Sequence, residues 1–446
     1  MIEGFYGQPW TAAVRREVVE FLAPRGMNAY VYAPKHDPFH RDRWRESPPP
    51  DEVDTLHDLA AECASAGVRF GFCLSPGLDF DGTDADHELL WKRLEPSVEA
   101  GVDWLVLAFD DIEMPPEAGG VHAEASARVL DQLRARHPDG HLSVVPTDYV
   151  GSRPTPYLDA LVAGLPDDVD VMWTGRTIVS PTISTEEASA RRDASGGHPV
   201  LIWDNYPVND GIMKPALHLG PLTGRDADLA DAAVGLLANP MPQGRASLVA
   251  LATAMAYAVD PASYDPATAW DDAVSAVAER HDAPWLRSLA LACSSSALTD
   301  PTSLDLHRLI DADDLDAIRS RMTDSRRDAA AIRAAAEAGA PLAVEVQPWA
   351  EQMEREAVAG LEAVEVLSGG RRDERDVVLH SMVMVQTWHE ARSGPRIAFG
   401  PRLACYPALV QAGDTLAVDP DGVVVEGGSA IDRLCRQALA RLGRAA

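Results

Sequence analysis

Eight short apolar runs, each followed by a stretch of helical spacing, fill the first 245 residues. They read IEGFY (2–6), NAYVYAP (28–34), VRFGFCLSP (68–76), WLVLAFDD (104–111), LSVVPTDY (142–149), DVMWTG (170–175), VLIWDNYP (200–207) and VGLLANP (234–240). In the fourth, nothing alternates with polar residues before the aspartates, the pattern of a strand covered on both faces. Between them lie stretches such as AVRREVVEFLAPRG (13–26) and VDTLHDLAAECASAG (53–67). Their apolar residues recur at helical spacing and they end on glycine, as helix C-termini often do. Eight such units predict a (β/α)8 TIM barrel over residues 1–245.

The pattern then changes. Residues 246–395 are rich in Ala, Leu, Arg and Glu, which predicts an α-helical domain. Within it, 328–367 reads as an antiparallel helical pair broken near GAP (339–341). Residues 396–446 form a small mixed α+β segment: RIAFG (396–400) and TLAVDPDGVVVEGG (415–428) look β-like, PDG (420–422) reads as a hairpin turn, and a final helix starts near 429.

A fold of this size needs a large core, and a hydrophobic content of 46% supplies one. The formal net charge of -30 sets up a field that repels nucleic acid and anionic membrane surfaces. The five cysteines, Cys63, Cys73, Cys293, Cys405 and Cys435, are odd in number and form no CxxC pair, which speaks against a disulfide framework or zinc site. The longest apolar run, LVALATAMAYAV (248–259), is too short to span a bilayer. IEGFYGQPW follows Met1 directly, with no signal-like apolar region. A reducing, cytoplasmic setting is expected, or a secreted one if a leader has been removed.

Barrel active sites are built from residues at the C-terminal ends of the strands. Those ends carry Gly4 and Tyr6; Lys35; Asp79; Asp110 and Asp111; Asp148 and Tyr149; Trp173 and Thr174; Asp204, Asn205 and Asp210; and Asn239. Such a mixture of hydrogen-bonding and stacking groups suits a polyhydroxylated sugar.

Within this rim, LVLAFDDIE (105–113) stands out because two carboxylates meet at one strand end. An ordinary retaining glycosidase sets its two carboxyls about 5–5.5 Å apart across the sugar. Neighbours on one chain can hardly straddle a ring that way. They suit a sugar that brings its own nucleophile, a 2-acetamido group whose carbonyl oxygen attacks C1. One aspartate then orients the amide, and the other protonates the departing oxygen and later activates water. The competing reading is a helix N-cap beside a solvated neighbour.

The sequence resembles the β-N-acetylglucosaminidases of glycoside hydrolase family 84, the O-GlcNAcase and "hyaluronidase" group. The resemblance rests on IEGFYGQPW (2–10), NAYVYAPKHDPFHRDRWRE (28–46), LSPGLDF (74–80), LAFDDIE (107–113), VPTDY (145–149), VMWTG (171–175), WDNYPVND (203–210), LGPL (219–222) and NPM (239–241). It implies that Asp110 polarises the acetamido group and Asp111 is the general acid/base. It implies that the Gly4 carbonyl and Lys35 bind hydroxyls near O3, that Tyr149 lies by the acetamido group or anomeric oxygen, and that Thr174 lines the N-acetyl pocket. Asn205 would support the acetamido side or O3, Trp203 would form the pocket wall, and Asp210 and Asn239 would hold O4 and O6. Catalysis would run through an oxazoline with retention, without cofactor or metal.

His36 departs from the family pattern, standing where many relatives have a second aspartate. Nothing resembles the acetyltransferase-like extension of animal O-GlcNAcases, and the last 50 or so residues match no family motif. HDPFHR (36–41) could suggest a metal, but Pro38 prevents its histidines from sharing a helix, and VDPDGVVVEGG (418–428) fails the calcium-loop spacing. No P-loop, GxGxxG or GxSxG elbow occurs.

The expected activity is retaining exo-β-N-acetylglucosaminidase action on terminal β-GlcNAc of glycoconjugates, including O-GlcNAc on Ser or Thr of proteins. An endo-acting glycosaminoglycan hydrolase and a non-catalytic GlcNAc-binding protein are the alternatives. The long amphipathic segment around 328–395 and the family analogy point to a homodimer.

Overall fold

The computed structural model describes residues 1–113, 115–295, 306–369, 374–394, 396–400, 405–412, 415–424 and 428–445. Eight strands form its centre: β1 (Ile2–Glu3), β2 (Ala29–Tyr32), β3 (Arg69–Leu74), β4 (Trp104–Ala108), β5 (His141–Val145), β6 (Asp170–Trp173), β7 (Val200–Asp204) and β8 (Gly235–Ala238). They pair in parallel and in chain order, making a nearly closed (β/α)8 barrel. Seven helices follow strands β1 to β6 and β8: α1 (Ala12–Leu22), α2 (Pro50–Ser65), α3 (Asp84–Glu99), α4 (Ala118–Arg134), α5 (Pro156–Val162), α6 (Thr185–Ala194) and α7 (Gly244–Val259). Short 3-10 turns take the helix's place after β7. Thr11, Thr83, Thr155 and Ser184 cap α1, α3, α5 and α6 by accepting backbone N–H groups.

Side chains alternate strictly across each strand. Ile2, Val31, Cys73, Trp104, Val106, Met172, Leu201 and Leu237 meet inside the barrel. Their neighbours Tyr30, Tyr32, Phe72, Leu105, Leu107 and Val171 face the helices. This two-residue period explains why the runs lacked polar alternation, since both faces are buried.

The helices beyond the barrel are α8 (Pro266–Arg280), α9 (Leu286–Ala292), α10 (Leu306–Asp311), α11 (Leu315–Glu337), α12 (Pro341–Ser368) and α13 (Glu374–Ser393). α11 and α12 pack along one another and break at 338–340, and α13 packs on α12. A hairpin of β9 (Cys405–Ala412) and β10 (Thr415–Val424) precedes α14 (Ala430–Ala445).

Two expectations for the tail need correction. RIAFG forms no strand; Ile397 N–H donates to Pro215 O at 2.9 Å and Phe399 N–H to Glu356 at 3.1 Å, so barrel loop and helix satisfy its backbone. PDG is not the hairpin turn. It lies within β10, where the register slips between Asp419 and Val423: Asp419 pairs with Ala408 but Val423 with Tyr406, so the proline and glycine sit in a bulge. No helix among the described residues is long and apolar enough to cross a membrane.

Candidate active site

The inward parity of the strands continues past their ends. Counting by twos from Ile2 gives Gly4 and Tyr6, from Val31 gives Lys35, and from Trp104 gives Asp110. Val145 leads to Tyr149, Met172 to Thr174, Leu201 to Trp203 and Asn205, and Leu237 to Asn239. All of these line one cavity of about 190 Å³, joined by Asp210 and Asp111. That is roughly the room for one small ring rather than a chain of sugars.

Asp111 should face away from this cavity, because it follows Asp110 directly. Its φ of 57° breaks the alternation. The left-handed conformation is one of the few an aspartate tolerates without large strain. It swings the second carboxylate round to join the first. Oδ1 of Asp111 then accepts the Tyr149 hydroxyl at 2.6 Å and Oδ2 the Tyr6 hydroxyl at 2.7 Å. Burial and the Asp111 charge push both tyrosines well above the usual phenol range, so both remain donors.

Asp110 is held differently. Lys35 Nζ lies 2.7 and 2.6 Å from its two oxygens, and Arg41 Nη1 stands 3.8 Å away. Burial alone would raise the proton affinity of this carboxyl. Lys35 and Arg41 more than reverse that and hold it below the usual carboxylate range. Arg41 Nη2 also donates to the carbonyls of Asp110 and Asp111, at 3.2 and 3.4 Å, which fixes the turn between them.

The opposite end of the cavity is a hydrogen-bond lattice. Gly4 N–H donates to Asn239 Oδ1 at 3.1 Å, and Asn239 Nδ2 donates to Asn205 Oδ1 at 2.9 Å. Trp203 Nε1 donates to the same Asn205 oxygen at 2.9 Å, while Asn205 Nδ2 donates to Ile178 O. Asp210 accepts Tyr6 N–H at 2.7 Å; burial raises its proton affinity against that bond. Gly4 has to be glycine, because a Cβ there would stand 2.2 Å from Cζ2 of Trp203.

A family model described as beta-N-acetylglucosaminidase matches residues 1–290. The chain belongs to this family. Protein O-GlcNAcase from Rattus norvegicus and its counterpart from Mus musculus are each 32% identical to it over 267 residues, 57% of this chain and 29% of theirs. The chain thus matches less than a third of the length of these curated relatives. Among solved structures, a mutant of the Thermobaculum terrenum O-GlcNAc hydrolase matches with a TM-score of 0.81 and 25% identity, over 98% of this chain and 93% of that one.

In this β-N-acetylglucosaminidase-family chain, the ten residues singled out from sequence, Asp110, Asp111, Gly4, Lys35, Tyr149, Thr174, Trp203, Asn205, Asp210 and Asn239, share the one cavity. Four other rim candidates do not. Asp148 is fully buried and accepts the Thr155 hydroxyl, with Arg191 3.9 Å away. Trp173 packs outward and donates to Gly151 O, and Asp204 pairs with Arg225 at 2.5 Å. Asp79, past the end of β3, accepts Trp44 Nε1 and pairs with Arg45. Each is structural. The role of Arg41 escaped sequence reading; its only sequence signal is its place six residues after Lys35. Among the described residues no group of three or more His, Cys, Asp or Glu is arranged to hold a metal. His40, in the HDPFHR loop, is buried with Nδ1 2.9 Å from Cys73 O.

Proposed function

We propose that this chain is a retaining exo-β-N-acetylglucosaminidase that uses the substrate's own acetamido group as nucleophile, on terminal β-GlcNAc including that on Ser or Thr of proteins. One observation carries the reading: two sequence-adjacent carboxylates enter one cavity in opposite electrostatic settings, Asp110 against two cations and Asp111 against two neutral hydroxyls. The division fits a reaction that needs a permanent anion and a proton carrier.

The acetamido carbonyl oxygen attacks C1 as the glycosidic bond breaks. Asp111 gives its proton to the departing oxygen, and Asp110 accepts the acetamido N–H and offsets the positive charge growing on the oxazolinium. Water then attacks C1 from the vacated face, Asp111 takes its proton, and the acetamido oxygen leaves, so configuration is retained. Tyr149 and Tyr6 steady the Asp111 carboxylate, and Asp210 and Asn239 meet the hydroxyls at the closed end. That closed end favours exo over endo action.

The test compares an aryl β-N-acetylglucosaminide with the corresponding aryl β-glucoside. Turnover of the acetamido sugar alone is expected; equal turnover of both overturns substrate assistance. Lys35→Met tests the electrostatics. Asp110 is then buried with one cation fewer, so its pKa rises and the acid limb of kcat/KM moves to higher pH, by about 1–3 units. An unmoved acid limb removes Lys35 from this role.

Pairing of two chains through the helical region is proposed on the exposed apolar stripe of α13, where Val378, Leu379 and Met382 are 56%, 60% and 66% exposed. Light scattering at micromolar concentration should give twice the 47.9 kDa chain mass, and a single-chain mass overturns it.

A further inference from the structure

A second cavity, of about 440 Å³, lies outside the barrel between α2, α3 and the outer face of β2. It exists because of how α2 is written. Of its sixteen residues only Leu59 and Cys63 are buried. In its first half, Pro50 to Asp58, no residue is fully buried, and Leu56 alone packs against the main core. Val53 and Leu56 line one side of the gap, and the rings of Trp10 and Tyr32 line another.

Arg93 projects into this space from α3, half-buried. Its Nε donates to Phe39 O at 3.3 Å, and its guanidinium lies over the Phe72 ring at 5.3 Å. Among the described residues no carboxylate comes within ion-pair distance of it, whereas the comparably enclosed Arg15, Arg225 and Arg245 are each paired. Burial pulls its pKa below the usual guanidinium range, and Asp37, Tyr32 and Glu52 offset that only in part. Lys92 lines the same cavity and makes no ion pair among the described residues. His57, from α2, has its Nε2 enclosed without a partner. Of the two carboxylates on the cavity wall, Asp37 is taken by the Tyr32 hydroxyl at 2.7 Å and Phe39 N–H at 2.8 Å, and Glu52 is exposed.

We propose that this cavity is a second binding site, separate from the catalytic pocket, for a small molecule that joins a carboxylate to an apolar or aromatic body. The carboxylate docks on the Arg93 fork, with Lys92 and His57 beside it. A guanidinium matches a carboxylate through two parallel hydrogen bonds. The body lies against Trp10, Tyr32 and Leu56. Asp37 and Glu52 on the wall disfavour a dianion such as a phosphate monoester. The partition between the two cavities is thin: His36 lines the second, and its ring meets that of Tyr6 edge-on at 5.7 Å.

The test is calorimetric titration of the full chain with acetate, phenylacetate and indole-3-acetate, each beside its neutral amide. Each titration is repeated with N-acetylglucosamine in excess. At least one aromatic acid should bind about tenfold or more tighter than its amide, with or without the sugar. Arg93→Met should reduce the acid to the level of the amide. Val53→Trp, which adds bulk to the apolar wall, should weaken both. Both variants should keep turnover of the aryl glycoside. The proposal falls if no acid outbinds its amide, if the preference survives Arg93→Met, if Val53→Trp leaves binding intact, or if the sugar displaces the acid.

Discussion

Asp110→Asn should lower kcat/KM on an aryl β-N-acetylglucosaminide by about 10²–10³-fold, the usual loss when a group that stabilises transition-state charge is removed. The substitution keeps the shape of the side chain and its place after β4. It removes the anion proposed to face the oxazolinium. It also leaves Lys35 buried without its partner, so the protein should melt at a lower temperature. The two effects separate by experiment, because a folded Asp110→Asn protein at low temperature should still bind the sugar and fail to turn it over. Retention of more than a tenth of wild-type kcat/KM would show that Asp110 is not the charge on which the reaction depends.

Asp111→Asn should behave differently, and the difference lies in the leaving group. For an alkyl or seryl aglycone, whose oxygen needs a proton as it departs, the loss should reach about 10²–10⁴-fold. For a dinitrophenyl aglycone, which departs as a stable anion, the first step should hardly suffer. Rates of wild type and mutant against the pKa of the leaving group decide the matter. A steeper dependence in the mutant supports the acid role, and parallel lines refute it. In the amide one of the two tyrosine hydroxyls loses its acceptor, a loss common to every leaving group, so only the changed dependence on the leaving group marks the acid role.

The barrel was legible because both faces of each strand are buried, leaving eight mostly apolar runs. What could not be read directly was which of two neighbouring polar residues turns inward. At three strand ends the sequence offered neighbours: Asp148 and Tyr149, Trp173 and Thr174, Asp204 and Asn205. In each pair one member lines the cavity and the other is tied to the outer layer. Parity counted from the barrel-facing apolar residues separates them, but only once the strand register is known. Asp111 defeats the counting rule, since its left-handed backbone overrides parity. Arg41 was invisible for another reason: it reaches carbonyls 69 and 70 residues away, and no local pattern announces a contact of that range. The PDG tripeptide misled because turn chemistry and bulge chemistry draw on the same residues.

The short first strand has a consequence for how such a chain could change. No ladder joins β1 to β8, and the seam between them is latched by side chains, Asn239 to Gly4 N–H and Asp210 to Tyr6 N–H. These are the side chains that would grip the far hydroxyls of the sugar. A lineage drifting toward cleavage within a polymer would have to open that end, and trimming either residue would remove a latch of the seam, leaving Trp10 Nε1 on the carbonyls of Met241 and Pro242. If Asp210 and Asn239 set the substrate choice as proposed, that choice and the shut seam change together, and broadening the first weakens the second.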